Sequence, residues 1–250
     1  MSDWRREAIR TLKFLFKEPY RAWRRAGVDR RMPALPGGRG WRTAIPPKLH
    51  ISLMHGLIGY TYRGVPMEKH PVEMALYTRL LWEVKPRSII EIGTRAAGTT
   101  AWLSDHLRTF GIDGRIVSVD INVPPRPAFL PDTVKLLQGD ANDLAPTLTP
   151  AVLSELPRPW LVIEDASHTY QATLAALRFF DPLLRSGEYI VVEDANMTEM
   201  GVDARFDGGP ARSIAEFLQE RGSDYEIDTR YCDQYGRNVT GNPNGYLRRK

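Results

Sequence analysis

Short apolar runs and longer amphipathic stretches alternate along most of this chain. The runs are Ser88–Ile92, Arg115–Ile121, Val134–Gln138, Trp160–Ile163 and Tyr189–Val192. Strands covered on both faces are apolar nearly throughout, so these read as strands of a buried sheet. Between them, apolar residues recur at three- and four-residue steps, which is the period of a helix. Tyr77, Leu80, Leu81 and Val84 share one face of a helix over 71–85. Further helices are predicted from Thr99 to Phe110, near 142–155, and from Tyr170 to Leu184, where Leu174, Leu177, Phe180 and Leu184 repeat. Pro86, Gly111 and Gly187 end three of these helices. Strand–helix alternation of this kind predicts an α/β fold, a mostly parallel Rossmann-like sheet with helices on both faces. Beyond it lie a glycine- and aspartate-rich loop over 197–210, a helix entered at Pro210 and a strand over Tyr225–Thr229. A strand–turn–strand over 239–248 closes the chain, so the last strand is expected to run antiparallel.

The N-terminal 60 residues break this rhythm. Trp4, Ala8, Leu12, Leu15 and Phe16 mark an amphipathic helix over 3–18 that Pro19 ends. Residues 32–47 are rich in proline and glycine and read as a linker or lid. The expected division is a helical arm with a lid over 1–60 and a catalytic domain over 61–250. Charge follows the same division. Residues 1–31 hold ten Lys/Arg against four Asp/Glu, a local +6, which leaves −2 on the rest of a chain whose net charge is +4. The basic character thus belongs to the arm. The body lacks a basic stripe with interleaved aromatics, which argues against nucleic-acid binding. The arm is expected to pack on its own domain or a sister subunit, with a membrane surface as the alternative.

Composition narrows the class. At 42% hydrophobic and 26% charged the chain is an ordinary globular protein. One cysteine, Cys232, excludes an internal disulfide and a cysteine metal cluster, and fits a reducing cytoplasm. No apolar run approaches the ~20 residues that span a bilayer, and the N-terminus lacks a signal-peptide core.

The candidate chemistry sits where strands end. Glu91 precedes Gly93 at the end of the first run, and Gly98 opens the following helix. A glycine turn before a helix N-terminus is a nucleotide-binding architecture. The dinucleotide pattern G-x-G-x-x-G is absent, which argues against a nicotinamide oxidoreductase. The spacing E-x-G-x-x-x-x-G suits S-adenosylmethionine, although a plain strand–turn–helix fits it too. Asp120 ends the second strand, placed to accept hydrogen bonds from ribose hydroxyls, or else to start a turn. Asp140 and Ala141 follow the third strand, where the acid reaches an adenine amino group or caps a helix. The fourth and fifth strands end in Glu164-Asp165 and Glu193-Asp194, with His168 close behind the first pair. Carboxylates this close repel unless a cation or proton is shared, and oxygen-rich sites suit hard cations such as Mg²⁺. The alternative is that some are helix caps and others face solvent.

These residues resemble the cephalosporin hydroxylase and rhamnosyl O-methyltransferase family of S-adenosylmethionine-dependent enzymes, over about residues 60–250. The likeness is carried by Tyr62-Arg-Gly-Val-Pro-Met67, Glu91-Ile-Gly-Thr94 with Gly98, Val119-Asp120-Ile121, Gly139-Asp140, Asp165 with His168, Val192-Glu193-Asp194, and Asn242-Pro-x-Gly-Tyr-Leu-Arg248. It implies a class I methyltransferase sheet and an oligomeric enzyme. It implies S-adenosylmethionine on Glu91, Gly93, Thr94, Gly98, Asp120, Asp140, Ala141 and Asp165. It also implies Mg²⁺ on Asp165, Glu193 and Asp194, with His168 as base. Ala97 stands where the family often has a third glycine, and Ser167 where it often has a second acid. The expected activity is Mg²⁺-dependent O-methylation of a hydroxyl on a sugar or other secondary-metabolite scaffold. The alternative is a non-catalytic cofactor-binding partner of an oxygenase.

Overall fold

In the computed structural model the described residues are 32 and 34–250, except Thr198. The helix expected over 3–18 lies outside them. Helix α1 (Pro47–Ile58) comes first, then a hairpin of β1 (Thr61–Tyr62) and β2 (Val65–Pro66). Its two turn residues, Arg63 and Gly64, both have positive φ, at 52° and 80°, which is the geometry that suits two-residue hairpins. Then α2 (Pro71–Val84), β3 (Ser88–Ile92), α3 (Gly98–Thr109), β4 (Arg115–Asp120), β5 (Val134–Gln138), α4 (Pro150–Ser154), β6 (Trp160–Glu164), α5 (Tyr170–Phe180) and β7 (Tyr189–Val192) alternate. The chain ends with α6 (Gly209–Arg221), β8 (Tyr225–Ile227), α7 (Thr229–Cys232) and β9 (Tyr246–Arg249).

The main sheet has the order β5-β4-β3-β6-β7-β9-β8. β3 to β7 are all parallel, while β9 runs antiparallel to both β7 and β8. Because successive side chains of a strand point to opposite faces, the apolar runs split into two cores. Ile90, Ile92, Val162, Ile190 and Val192 face α5 and α6 through Leu177, Phe180, Ile214 and Phe217. Ile89, Leu161, Ile163 and Val191 face α2 and α3 through Leu76, Leu80, Leu103 and Leu107.

Two expectations need correction. Of the helix expected over 142–155, α-helix covers only Pro150–Ser154, capped by Thr149. The strand–turn–strand over 239–248 is an ordered loop leading into the single strand β9. Residues 47–58, placed in the arm and lid, are the helix α1, initiated by Pro46 and Pro47. The stretch read as a linker also contributes Leu35 and Trp41, each 3% exposed, to the α5–α6 core. No helix among the described residues is long and apolar enough to cross a membrane.

Candidate active site

β3, β4, β5, β6 and β7 end on one edge of the sheet, and ligands of open α/β sheets bind at that edge. A cavity of about 930 Å³ opens there. Gly93, Thr94 and Gly98 line it, with Asp120, Asp140 and Ala141 on one side and Asp165, His168, Glu193 and Asp194 on the other. Ile51, Met54 and Ile58 of α1 cover it with an apolar wall. Ten of the sequence-derived site residues therefore meet in one space.

Glu91 is the exception. It is 1% exposed and points into the fold, where Oε2 accepts from Ser118 Oγ and Thr100 Oγ1. Burial pushes its pKa up to about 7, against the pull of those two hydroxyls. Its assignment to cofactor contact is corrected on this ground: the acid braces β3, β4 and α3 together and does not line the cavity. Glu164 is likewise fully buried, and burial lifts it to about 7, opposed chiefly by His168.

The two glycines are needed for a different reason than ligand approach. Gly93 has φ +107°, and a Cβ there would lie 2.1 Å from the Asp165 carbonyl oxygen. Gly98 would place a Cβ 2.1 Å from the Pro66 carbonyl oxygen. The first lets the β3 turn lie against the end of β6, and the second lets α3 lie against β2. Between them Ala97 takes φ +67°, a conformation glycine adopts more cheaply.

At the end of β4 Asp120 Oδ2 accepts from Arg95 N at 2.8 Å, and Oδ1 from Asn122 N at 2.9 Å. Each carboxylate oxygen can accept a second bond, so the acid is oriented and still able to bind. Asp140 Oδ1 accepts from Asn142 N and Nδ2, both at 2.8 Å, which draws its pKa below the usual value.

The acidic pair at the other side forms a cluster. Asp165, His168 and Asp194 each bring one ligand atom within 4.8 Å of the others. His168 Nε2 is 3.5 Å from Asp194 Oδ2, and Nδ1 is 4.0 Å from Asp165 Oδ1. His168 and Asp194 both have φ near +56°. Positive φ is uncommon outside glycine and costs on the order of 1 kcal/mol, and two cases in one cluster mark a place where position outweighs backbone comfort. Asp194 is pushed up by burial and by Asp165, with His168 opposing. Its backbone N–H is held by Asn242 Oδ1 at 3.1 Å, which gives the Asn242-Pro-x-Gly-Tyr-Leu-Arg248 motif a structural task. Gly245 O also accepts from Val192 N, so the motif docks the last strand beside the site.

Glu193 adjoins that cluster, sharing the Lys69 ammonium with Asp165. Its Oε2 is 2.5 Å from Lys69 Nζ, and its Oε1 accepts from Tyr77 Oη at 2.7 Å. Sequence reasoning missed Lys69, Tyr77 and Asn242 as site residues. The signal for Lys69 was present, since it follows the Y-R-G-V-P-M motif and directly precedes the His70 cap of α2. His70 and Glu73 are a second buried pair on the cavity wall, Nδ1 to Oε2 2.9 Å.

A profile described as "Rhamnosyl O-methyltransferase/CmcI" matches residues 57–250. A rhamnosyl O-methyltransferase of Mycobacterium leprae is 31% identical over 196 residues, covering 76% of this chain and 83% of the relative. One from Mycobacterium bovis is 29% identical over 190 residues, covering 75% and 77%. A solved structure of CmcI with Mg and SAM is similar at TM-score 0.60 and 26% identity, covering 77% of each chain. A CmcI apo-structure gives TM-score 0.63 at 26% identity, covering 87% of this chain and 88% of that one. The sheet order with its antiparallel β9, the ligand edge and these matches agree, and the chain belongs to the rhamnosyl O-methyltransferase/CmcI family of class I S-adenosylmethionine-dependent methyltransferases.

Proposed function

We propose that this protein transfers the methyl group of S-adenosylmethionine to a hydroxyl of a sugar or other secondary-metabolite scaffold, with Mg²⁺ at its acidic edge. The observation that carries the reading is the single cavity that joins the Gly93 turn, Asp120 and Asp140 to the Asp165–His168–Asp194 cluster. The donor set fits a hard cation, with two carboxylates converging beside an imidazole whose buried Nδ1 has no hydrogen-bond partner. The nucleoside side fits as well, because Asp120 and Asp140 are held in place by backbone N–H groups. When bound, S-adenosylmethionine supplies an electrophilic methyl on a sulfonium, and Mg²⁺ lowers the pKa of a nearby hydroxyl.

The chain's own residues do the rest. Asp120 would orient the ribose, and Asp165, Glu193 and Asp194 would hold the ion. We assign to His168 the tautomer with the buried Nδ1–H turned to Asp165, which leaves Nε2 to take the proton of the acceptor hydroxyl. The resulting imidazolium is stabilised by Asp194 and Asp165 on either side. The apolar wall of α1 limits water around the reacting atoms. A cytoplasmic setting and an oligomeric enzyme belong to the same reading, the former supported by a lone cysteine that is buried.

The test is transfer of labelled methyl from S-adenosylmethionine to rhamnosyl glycosides and to catechol or macrolide-sugar hydroxyls. Label should enter one class, vanish with EDTA and return with Mg²⁺. Binding of the cofactor with no transfer to any of these would favour the non-catalytic partner instead.

A further inference from the structure

His70 directly precedes α2 and lies on the cavity wall at 5% exposure. Two groups approach its Nδ1. Val72 N–H donates to it at 3.3 Å and caps the helix, and Glu73 Oε2 stands 2.9 Å away. The His50 ring packs edge-on against the imidazole, centroids 6.0 Å apart. Glu73 is itself fixed, since its Oε1 accepts from Thr240 Oγ1, and from Gly241 N at 2.8 Å. The ring is thus held from its Nδ1 side. Its Nε2 is buried and has no hydrogen-bond partner among the described residues. Buried polar atoms are normally paired, so one left open on a cavity wall points to a ligand. The loop that holds Glu73 also reaches the reacting edge, because Asn242 follows Gly241 and its Oδ1 accepts from Asp194 N at 3.1 Å. The sheet order puts that loop beside β7 and β9, away from β4 and β5, whose ends carry Asp120 and Asp140. His70 therefore belongs to the acceptor half of the cavity and not to the nucleoside half.

We propose that His70 is a specificity-determining residue, whose Nε2 hydrogen-bonds a second hydroxyl of the acceptor, one that is not methylated. This rests on the methyltransferase reading above and deepens it. A hydroxyl both donates and accepts. It satisfies Nε2 whether the ring proton sits there, with Nδ1 accepting from Val72, or sits on Nδ1 and faces Glu73. A carbonyl or ether oxygen serves only the first arrangement, and an apolar group serves neither. A site built to pair a substrate hydroxyl rejects the analogue that lacks it. The acceptor selected carries at least two hydroxyls, one at the acidic edge and one at His70.

The experiment measures KM and kcat for methyl transfer by the full chain to methyl rhamnoside and its three monodeoxy analogues. The proteins are the native chain, His70→Asn and His70→Gln. Asparagine is a good helix cap and mimics Nδ1, so α2 stays capped while the Nε2 contact is lost. Glutamine reaches the Nε2 position instead and can donate or accept there. The expected result is that His70→Asn raises KM for the rhamnoside about tenfold with kcat within about threefold, and that His70→Gln restores KM to within about threefold of native. Of the analogues that still take label, one should show a KM about tenfold above the rhamnoside with the native chain, and no such penalty with His70→Asn. S-adenosylhomocysteine affinity by calorimetry should stay within about threefold of native in both variants. A merely structural cap gives the reverse order, with asparagine harmless and glutamine harmful. That order, or an unchanged KM in His70→Asn, or a missing hydroxyl that costs native and His70→Asn alike, overturns the inference. If the native chain labels none of the rhamnosides the inference also falls. Label entering a catechol or macrolide-sugar acceptor would then still uphold the methyltransferase reading, and label entering nothing would sink both.

Discussion

Two residues of the site make opposite demands on a substitution. Asp120 is held by Arg95 N and Asn122 N and presents its remaining lone pairs to the cavity. Asp120→Ala should weaken S-adenosylhomocysteine binding at least tenfold, since a charge-assisted hydrogen bond is worth roughly 1.5–3 kcal/mol. Titration calorimetry showing native affinity would remove Asp120 from the cofactor site. His168 should behave otherwise, because a general base contributes roughly 10²–10⁴-fold in rate and little to binding. His168→Ala is expected to lose turnover to that extent while keeping S-adenosylhomocysteine affinity. A loss of Mn²⁺ affinity as large as that of Asp194→Asn would make the imidazole a ligand and not the base. Glu91 supplies a third case at this scale. Its folded pKa of about 7 lies above the usual carboxylate value because of burial. A raised pKa gives stability that is present below about pH 4.5 and lost as pH rises through about 7. The decline is on the order of 3 kcal/mol. Glu91→Gln keeps the partners Ser118 and Thr100 without the ionisation. Its unfolding free energy in urea should therefore fall less than the native value between pH 4.5 and pH 7.5. Parallel declines in the two proteins would show that Glu91 titrates normally.

Elements differ in how legible they were. β3, β5 and β7 begin and end where their apolar runs do; β3 and β7 are buried along their whole length, while β5 at the sheet edge exposes Lys135 and Gln138. The acids at strand ends fell on one edge, since parallel strands in register must end together. Which way each acid turned was not legible. Glu164 and Asp165 are neighbours, yet only Asp165 lines the cavity, and the pleat that separates them depends on where β6 stops. Lys69 was invisible as site chemistry because its partners stand 96 and 124 positions away. Helix α1 was hidden by the prolines that open it, which read equally as loop. The α3–β2 contact yields a prediction of its own. Gly98→Ala improves helix propensity by about 1 kcal/mol, but its Cβ would meet the Pro66 backbone at 2.1 Å. The clash should win, with a net destabilisation of about 2 kcal/mol. A variant as stable as native in urea would mean that the hairpin yields freely and does not fix the position of Lys69.

At the scale of the molecule the question is what the first 31 residues add. The described residues already close both cores. Leu35 and Trp41 fill the α5–α6 side, Arg39 pairs with Asp233 at 2.6 Å, and Thr43 N donates to Glu199 Oε2 at 2.8 Å. Among the described residues, those that line the cavity all lie after position 49. The arm carries +6 of charge and an apolar stripe, Trp4, Leu12, Leu15 and Phe16, which is a liability if left in water. The rest of the chain carries −2, so an arm from one copy is attracted to the body of another as well as to its own. We expect a chain starting at residue 32 to keep the native near-ultraviolet circular dichroism and to bind S-adenosylhomocysteine within about threefold of the full chain, because it retains every described cavity residue. On the expectation that the stripe joins copies, its mass by light scattering should fall below that of the full-length protein. Unchanged mass with unchanged solubility would sink the subunit-contact role. Lost cofactor affinity with intact dichroism would show that the arm reaches the cavity.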